Sequence, residues 1–281
     1  MDTNDRQFMW SRQVADVGTD WVTFKSEFEA KSRYEPFQQR ELPNQFAKLA
    51  DDGAALITFV TTYGRLGWRE LCVRRIGTAG DWWRRRWSEQ RRLRADGAHV
   101  FFAEPVDWIG AHAATVRWCL KAAYALKVEK RRREKQCATL IATRPKPIGI
   151  GAGLQARFPH LEGRIGSFSA SHTVGFFLAR YLDRNLRGAS WRFGYDGALF
   201  GVVRGETLLE AIYRQVAEAA TGGRLAVCES RDCGAIFLQT DARQQFCPPR
   251  YGQTKSTCMN RERVRRYRHL QRERQQKGTR R

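Results

Sequence analysis

The sequence predicts a mainly α-helical N-terminal domain with a small β element, followed by a small four-cysteine unit that ends in a basic helix. Three observations support this prediction. Apolar residues recur at helical spacing in four stretches, one short stretch alternates as strands do, and four of the seven cysteines lie between positions 228 and 258. We place the boundary near Gly223, which divides the chain into residues 1–223 and 224–281.

The first helix is predicted in "DDGAALITFVTTYGRLG". Leu56, Phe59, Val60 and Tyr63 are spaced to form one apolar face, and Gly64 is the expected end of the helix. The residues before about position 45 are polar and weakly periodic, and they predict no definite element. A second, very basic helix is predicted in "DWWRRRWSEQRRLRADG", residues 81–97.

The longest helical pattern runs from Glu104 to about Lys135. Ile109, Ala113 and Val116 lie on one apolar stripe, and a run of basic residues in "KVEKRRREK" is expected to close the helix with positive charge, which the helix dipole favours at that end. A second contact with phosphate is the alternative role for this basic run.

The small β element is predicted in "SWRFGYDGALFGVV". Trp191, Phe193 and Tyr195 alternate along the chain, which indicates a pair of strands that turns near Asp196-Gly197. Between the long helix and these strands, "RPKPIGIGAGLQARFP" is broken by proline and glycine and predicts loops.

The helix in "ETLLEAIYRQVAEAATGG" leads directly into the cysteines. Thr207 and Glu210 are spaced for a capping box, in which each side chain bonds the other residue's backbone N–H. Gly222-Gly223 ends the pattern, and this is why the domain boundary is placed there.

The four cysteines are spaced as Cys228-x4-Cys233-x13-Cys247-x10-Cys258. Four thiolates suit the tetrahedral coordination of Zn²⁺, and a site closed by four cysteines is structural rather than catalytic. We therefore predict one structural Zn²⁺. Disulfides are the small alternative, and they would require an exported protein.

The fold of this unit follows from the same spacing. Gly234 permits a tight turn after the first pair, "AIFLQ" predicts a strand that places Phe237 over the metal, and "ARQQF" is expected to pair with that strand. Cys258 then enters in the first turn of a helix, which is the order of a treble-clef or ribbon-like zinc fold. The ten residues "PPRYGQTKST" before Cys258 are long for a compact unit and predict a loop.

The segment that follows is strongly basic, with ten Lys/Arg and two Glu between positions 261 and 281. The whole chain carries a net charge of +21, and so basic a protein usually has a polyanionic partner. Val264 and Tyr267 are expected to pack back on the zinc unit. The residues predicted to contact nucleic acid are Asn260, Arg261, Arg263, Arg265, Arg266, Arg268, Arg272 and Arg274.

The segment "CESRDCGAIF…QQFCPPR…CMNRERVRRYRHL" resembles the bacterial CGNR-type zinc finger proteins. The signature Cys-Gly-Asn-Arg corresponds to Cys258-Met259-Asn260-Arg261, where Met259 replaces the glycine. The resemblance implies an N-terminal, largely helical ABATE domain, of a type related to stress regulation, joined to a zinc finger that binds DNA in a transcription regulator.

The predicted function is zinc-dependent binding of nucleic acid, with DNA favoured over RNA. Two alternatives are an enzyme that modifies or processes nucleic acid, with the finger holding the substrate, and a finger that docks a protein. No catalytic residue is predicted, so the sequence leans against an enzyme. We expect a cytoplasmic protein with no membrane partner, since no apolar run approaches the ~20 residues of a spanning helix. A homodimer is compatible with the pattern.

Overall fold

The computed structural model of the chain describes most of its helices and the cysteine-rich unit. The described residues are 11–12, 15–24, 32–33, 36–49, 54–68, 88–89, 102–145, 169–186, 189–193, 199–203, 207–222, 225–249 and 255–278. Of the basic helix predicted over 81–97, residues 88–89 are described and are helical, and the loops predicted over 144–159 lie outside these residues beyond Pro145. Among the described helices, none has an apolar stretch long enough to cross a membrane.

A three-stranded antiparallel sheet lies near the N-terminus, where the sequence indicates no definite element. It is formed by β2 (Ala15–Val17), β3 (Trp21–Phe24) and β5 (Phe102–Pro105), with β3 in the middle. A shorter pair joins β1 (Ser11–Arg12) to β4 (Ser32–Arg33). Burial alternates along β3, which directs Val22 and Phe24 into the core.

Two helices follow strand β4 among the described residues. After a 3-10 turn at Pro36–Gln38, helix α1 spans Leu42–Lys48, and helix α2 spans Ala54–Tyr63. The four predicted apolar positions of α2 are buried, and Gly64, at φ 78°, donates its N–H to the Val60 carbonyl at 2.8 Å. The predicted helix and its glycine stop are therefore confirmed.

The loop after α2 is held by a buried carboxylate. Glu104 of β5 accepts hydrogen bonds from the backbone N–H groups of Leu66, Gly67 and Trp68, at 2.9, 2.7 and 3.0 Å. Burial outweighs these bonds and raises the pKa of Glu104. Gly67 has φ 95°, and a Cβ there would lie 2.4 Å from Cγ2 of Thr207, so the loop requires glycine at this position.

The long pattern predicted from Glu104 to Lys135 contains two helices rather than one. Helix α3 spans Val106–Lys127 and helix α4 spans Lys130–Ala142, because Val128 and Glu129 adopt extended conformations between them. Arg133 stabilises the break by donating from Nε and Nη2 to the Val128 carbonyl, at 3.2 and 3.0 Å. The apolar stripe of α3 is buried as predicted, but the basic run opens α4 instead of closing a helix.

The described residues of the remaining N-terminal part form two helices and a hairpin. Helix α5 spans Ala170–Asn185, and strands β6 (Ala189–Phe193) and β7 (Leu199–Val203) form the predicted antiparallel pair. Helix α6 spans Leu208–Thr221, and both hydrogen bonds of its predicted capping box are present. Helices α1 to α6 and strand β3 contribute to one buried apolar cluster. Leu225, at the start of the cysteine-rich unit, packs against this cluster.

Candidate metal centre

The cysteine-rich unit is built from one short hairpin and one long helix. Strand β8 (Leu225–Val227) pairs antiparallel with β9 (Ile236–Leu238), and helix α7 spans Thr257–Gly278. The strand predicted in "AIFLQ" is therefore confirmed. The prediction that "ARQQF" pairs with this strand is wrong, because β8, the strand before the first cysteine, pairs with β9. The backbone of "ARQQF" instead accepts two isolated hydrogen bonds, at Gln245 O from Glu229 N at 3.0 Å and at Gln244 O from the side-chain Nε2 of Gln239 at 2.8 Å.

The turn between β8 and β9 carries the first pair of cysteines. Cys228 N donates to the Ala235 carbonyl at 2.8 Å, and Cys233 N donates to the Ser230 carbonyl at 3.0 Å, so the two thiols stand on one tight turn. Gly234 follows at φ 56°, the left-handed conformation expected for it.

The second pair is Cys247, which lies in the loop after β9, and Cys258, which lies at the start of α7. Cys258 is the second residue of the helix, as predicted. Ser256 precedes the helix, accepts a hydrogen bond from Met259 N at 3.5 Å, and places its Oγ 4.0 Å from the Sγ of Cys247. A serine directly before a helix is a common capping signal, so Ser256 is a local sequence signal for the start of α7.

All four predicted ligands come together. The Sγ atoms of Cys228, Cys233, Cys247 and Cys258 lie within 4.8 Å of one another. Four sulfurs at 2.3 Å from one tetrahedral Zn²⁺ would be about 3.8 Å apart, so the observed spacing fits this ion. Phe237, which is 2% exposed, packs in the same cluster as the cysteines, as predicted.

The electrostatics of the cluster also favour a cation. Burial, followed by the hydrogen bonds and charges of neighbouring thiols, raises the pKa of Cys258, and burial raises the pKa of Cys247. Four adjacent thiolates repel one another, and a bound divalent cation offsets that repulsion. With four sulfur ligands the ion has no open position for water, so its role is structural.

The N-terminal part contacts this unit through α1 and α3, and α1 supplies hydrogen bonds. The side-chain amide of Asn44 donates from Nδ2 to the Leu238 carbonyl at 3.1 Å and accepts from Leu238 N at 2.9 Å. Gln45 Nε2 donates to the Pro249 carbonyl at 2.5 Å, and Lys48 Nζ donates to the Pro248 carbonyl at 3.3 Å. The sequence gives no local signal for these contacts, because their partners lie about two hundred positions away.

The residues predicted to contact nucleic acid lie on helix α7, and they differ in how far they are exposed. Asn260, Arg261, Arg263, Arg266, Arg268 and Arg272 are exposed, and Arg274 lies on the helix but its side chain is outside the described residues. Arg265 is half-buried and forms ion pairs with Asp232 at 2.7 Å and Glu262 at 3.0 Å. Asp232 lies between Cys228 and Cys233, so Arg265 links the helix to the first turn of the unit.

Two apolar residues of α7 do not pack as predicted. Val264 and Tyr267 were expected to contact the zinc unit, but 49% of Val264 and 62% of Tyr267 is exposed. The periodicity explains the difference. A helix turns 100° per residue, so Tyr267 lies opposite Cys258, and Arg265 lies on the same side as Cys258. The side facing the unit is therefore occupied by the ion-paired arginine.

The comparison with known proteins gives one match. The family model described as the CGNR zinc finger matches residues 224–271. No curated protein and no solved structure matches the chain. The likeness of the N-terminal part to an ABATE domain stays a prediction. Residues 224–271 therefore match the CGNR zinc finger, and within them four cysteines lie close enough together to hold a metal ion.

Proposed function

We propose that the chain is a zinc-dependent DNA-binding protein and acts as a transcription regulator. The observation that carries the proposal is the exposure of a row of basic residues on a 22-residue helix whose first turn contains a zinc ligand. At 1.5 Å per residue such a helix is about 33 Å long, and an α-helix fits the major groove of B-DNA.

The zinc ion supports this function by fixing the start of the helix. Cys258 joins the first turn of α7 to three ligands from the rest of the finger, and the ion pair of Arg265 with Asp232 holds the third turn. When bound, Zn²⁺ supplies much of the folding free energy of so small a unit. The arginines of α7 are then presented on a rigid surface rather than on a disordered chain.

The face of α7 opposite Cys258 is best placed for nucleic acid. We call Asn260, Arg263 and Tyr267 the outer face, since each lies more than about 130° around the helix from Cys258. Arginine forms forked hydrogen bonds with guanine or phosphate, and asparagine forms a paired contact with adenine. The outer face therefore combines Arg263, which supplies affinity, with Asn260, which can read sequence.

A transcription regulator needs a regulatory part in addition to the part that binds DNA. The N-terminal part would receive a signal, form a dimer or dock a partner, and α1 joins it to the finger at Leu238 and at the two prolines after Cys247. This part of the proposal rests on the resemblance given above.

Duplex DNA binding by the whole chain across a salt series tests the proposal. The variant Asn260→Ala/Arg263→Gln should bind more weakly at every salt concentration, with a salt slope reduced by about 0.9 for one lost phosphate contact. The matched control is Gln38→Ala/Lys121→Gln, which changes one exposed amide and one exposed cation away from α7. Wild type that does not bind duplex DNA, or an outer-face variant that binds as the control does, would contradict the proposal.

A further inference from the structure

A second basic surface lies at the start of α4, outside the zinc finger. We call Lys130, Arg131, Arg132 and Lys135 the α4 patch. All four side chains are exposed, and none of them pairs with an acidic group within the part of the chain that the structure describes. The patch is the run in which the sequence suggested a second phosphate contact as an alternative to a simple charged helix end.

Two other charged residues of this segment form hydrogen bonds inside the protein. Arg133 donates from Nε and Nη2 to the Val128 carbonyl. Glu134 accepts from Ser171 Oγ at 2.5 Å and from Ser171 N at 3.3 Å, and the hydrogen bond from the Ser171 side chain lowers the pKa of Glu134. The carboxylate of Glu134 is therefore directed at α5, and Glu129, the exposed residue before the patch, forms no ion pair with the patch among the described residues.

The position of these four cations lowers the stability of the folded protein when no partner is bound. The start of a helix carries a positive partial charge, so each cation in the first turn is unfavourable there. Helix α5 runs parallel to α4, since Ser171 near its start contacts Glu134 and Tyr181 further along donates to the Pro145 carbonyl just after α4. The Glu134 carboxylate already compensates the positive start of α5, whereas the positive start of α4 and four cations meet on one surface, which an anionic partner would stabilise.

The patch lies close to the base of the zinc finger. Lys127, three residues before the patch, donates from Nζ to the Ala219 carbonyl of α6 at 2.7 Å. Leu225, the first residue of the finger hairpin, follows Ala219 by six residues, so it lies within roughly 22 Å of that contact. One turn of B-DNA is about 34 Å long, so a duplex is long enough to span the distance from this contact to the base of the finger.

We propose that the α4 patch contacts the phosphate backbone of the nucleic acid that the zinc finger binds. This inference rests on the proposed function. Its chemistry is the pairing of guanidinium and ammonium groups with phosphate oxygens, which fixes the position of the protein on the duplex and reads no sequence. The finger would then supply selectivity, and the N-terminal part would add affinity and fix the orientation.

The test compares two whole-chain variants of equal charge. Arg131→Gln/Arg132→Gln removes two cations of the patch, and Arg40→Gln/Lys121→Gln removes two exposed cations elsewhere. With duplex DNA, the patch variant should lower the salt slope by about 1.8, because each lost phosphate contact accounts for about 0.9. Its affinity should fall relative to the control at every salt concentration, whereas its melting temperature should equal or exceed that of wild type, since unfavourable charge is removed.

The outcomes separate this inference from the proposed function. A patch variant with the affinity and salt slope of the control overturns the inference, and it does so without affecting the proposed function if Asn260→Ala/Arg263→Gln still weakens binding. A patch variant that loses binding together with thermal stability also overturns it, since the four residues would then be structural. Wild type that fails to bind duplex DNA overturns both.

Discussion

Arg265 and Asp232 join the basic helix to the first turn of the zinc finger, with the guanidinium Nη2 2.7 Å from the carboxylate Oδ2. The second nitrogen of the same guanidinium, Nη1, is 3.0 Å from Glu262 Oε2. Arg265 is thus occupied on the side of α7 that faces the finger, whereas Arg263 is exposed on the other side. Helical spacing places the two arginines on opposite sides of α7, but it gives no signal for the ion pair with Asp232, 33 positions earlier.

We expect Arg265→Gln and Arg263→Gln to affect DNA binding differently, although each removes one cation. Arg263→Gln should lower the salt slope by about 0.9, as expected for one phosphate contact. Arg265→Gln should leave the salt slope near that of wild type, because its guanidinium already pairs with two carboxylates. Titration of both variants with duplex DNA across a salt series measures this. Equal reductions in slope would show that Arg265 contacts DNA as Arg263 does.

Asn44 is expected to hold the finger against the N-terminal part. Asn44→Ala removes both hydrogen bonds to the backbone of Leu238, and an unpaired buried group costs about 1–3 kcal/mol. We expect a lower melting temperature and faster hydrogen exchange at the Leu238 amide. The control, Gln136→Ala, changes an exposed amide on α4. Unchanged exchange at Leu238 would mean that the contact contributes nothing to holding the finger.

Gly67 and Gly110 should respond oppositely to alanine. Gly67→Ala places a Cβ 2.4 Å from Cγ2 of Thr207 at φ 95°, and strain together with overpacking should cost about 2–4 kcal/mol. Gly110 lies inside α3 with nothing within 4 Å of its Cβ position, so alanine there should stabilise the protein by about 0.5–1 kcal/mol. Denaturant unfolding measures both changes. Shifts of the same sign would contradict this account of the Gly64–Trp68 loop.

The sequence predicts the local features of this protein well. The apolar face of α2, the capping box of α6, the β6–β7 hairpin and the four metal ligands all depend on residues close together in the chain or on cysteine chemistry. The spacing of Cys228, Cys233, Cys247 and Cys258 indicates the metal because few other arrangements explain four cysteines beside a basic segment.

The features that the sequence does not predict depend on distant partners. Strand β3 pairs with β5, about eighty positions later, and β8 lies beside β9 in place of "ARQQF". No glycine or proline marks the break between α3 and α4, and Arg133 stabilises it by binding the Val128 carbonyl. Asn44 contacts Leu238 across 194 positions. None of these pairings has a signature in the local pattern of apolar residues.

The central claim is that zinc bound by four cysteines presents the arginines of α7 to DNA. Measuring zinc content and duplex DNA affinity together, for wild type, Cys228→Ala and Cys137→Ala, tests it most directly. Cys137 is a buried thiol of α4 outside the cluster and serves as the control. We predict one zinc per chain in wild type and in Cys137→Ala, and loss of both zinc and most DNA affinity in Cys228→Ala. DNA binding that survives in Cys228→Ala without zinc would contradict the claim, because the basic segment would then bind as a polycation that needs no finger.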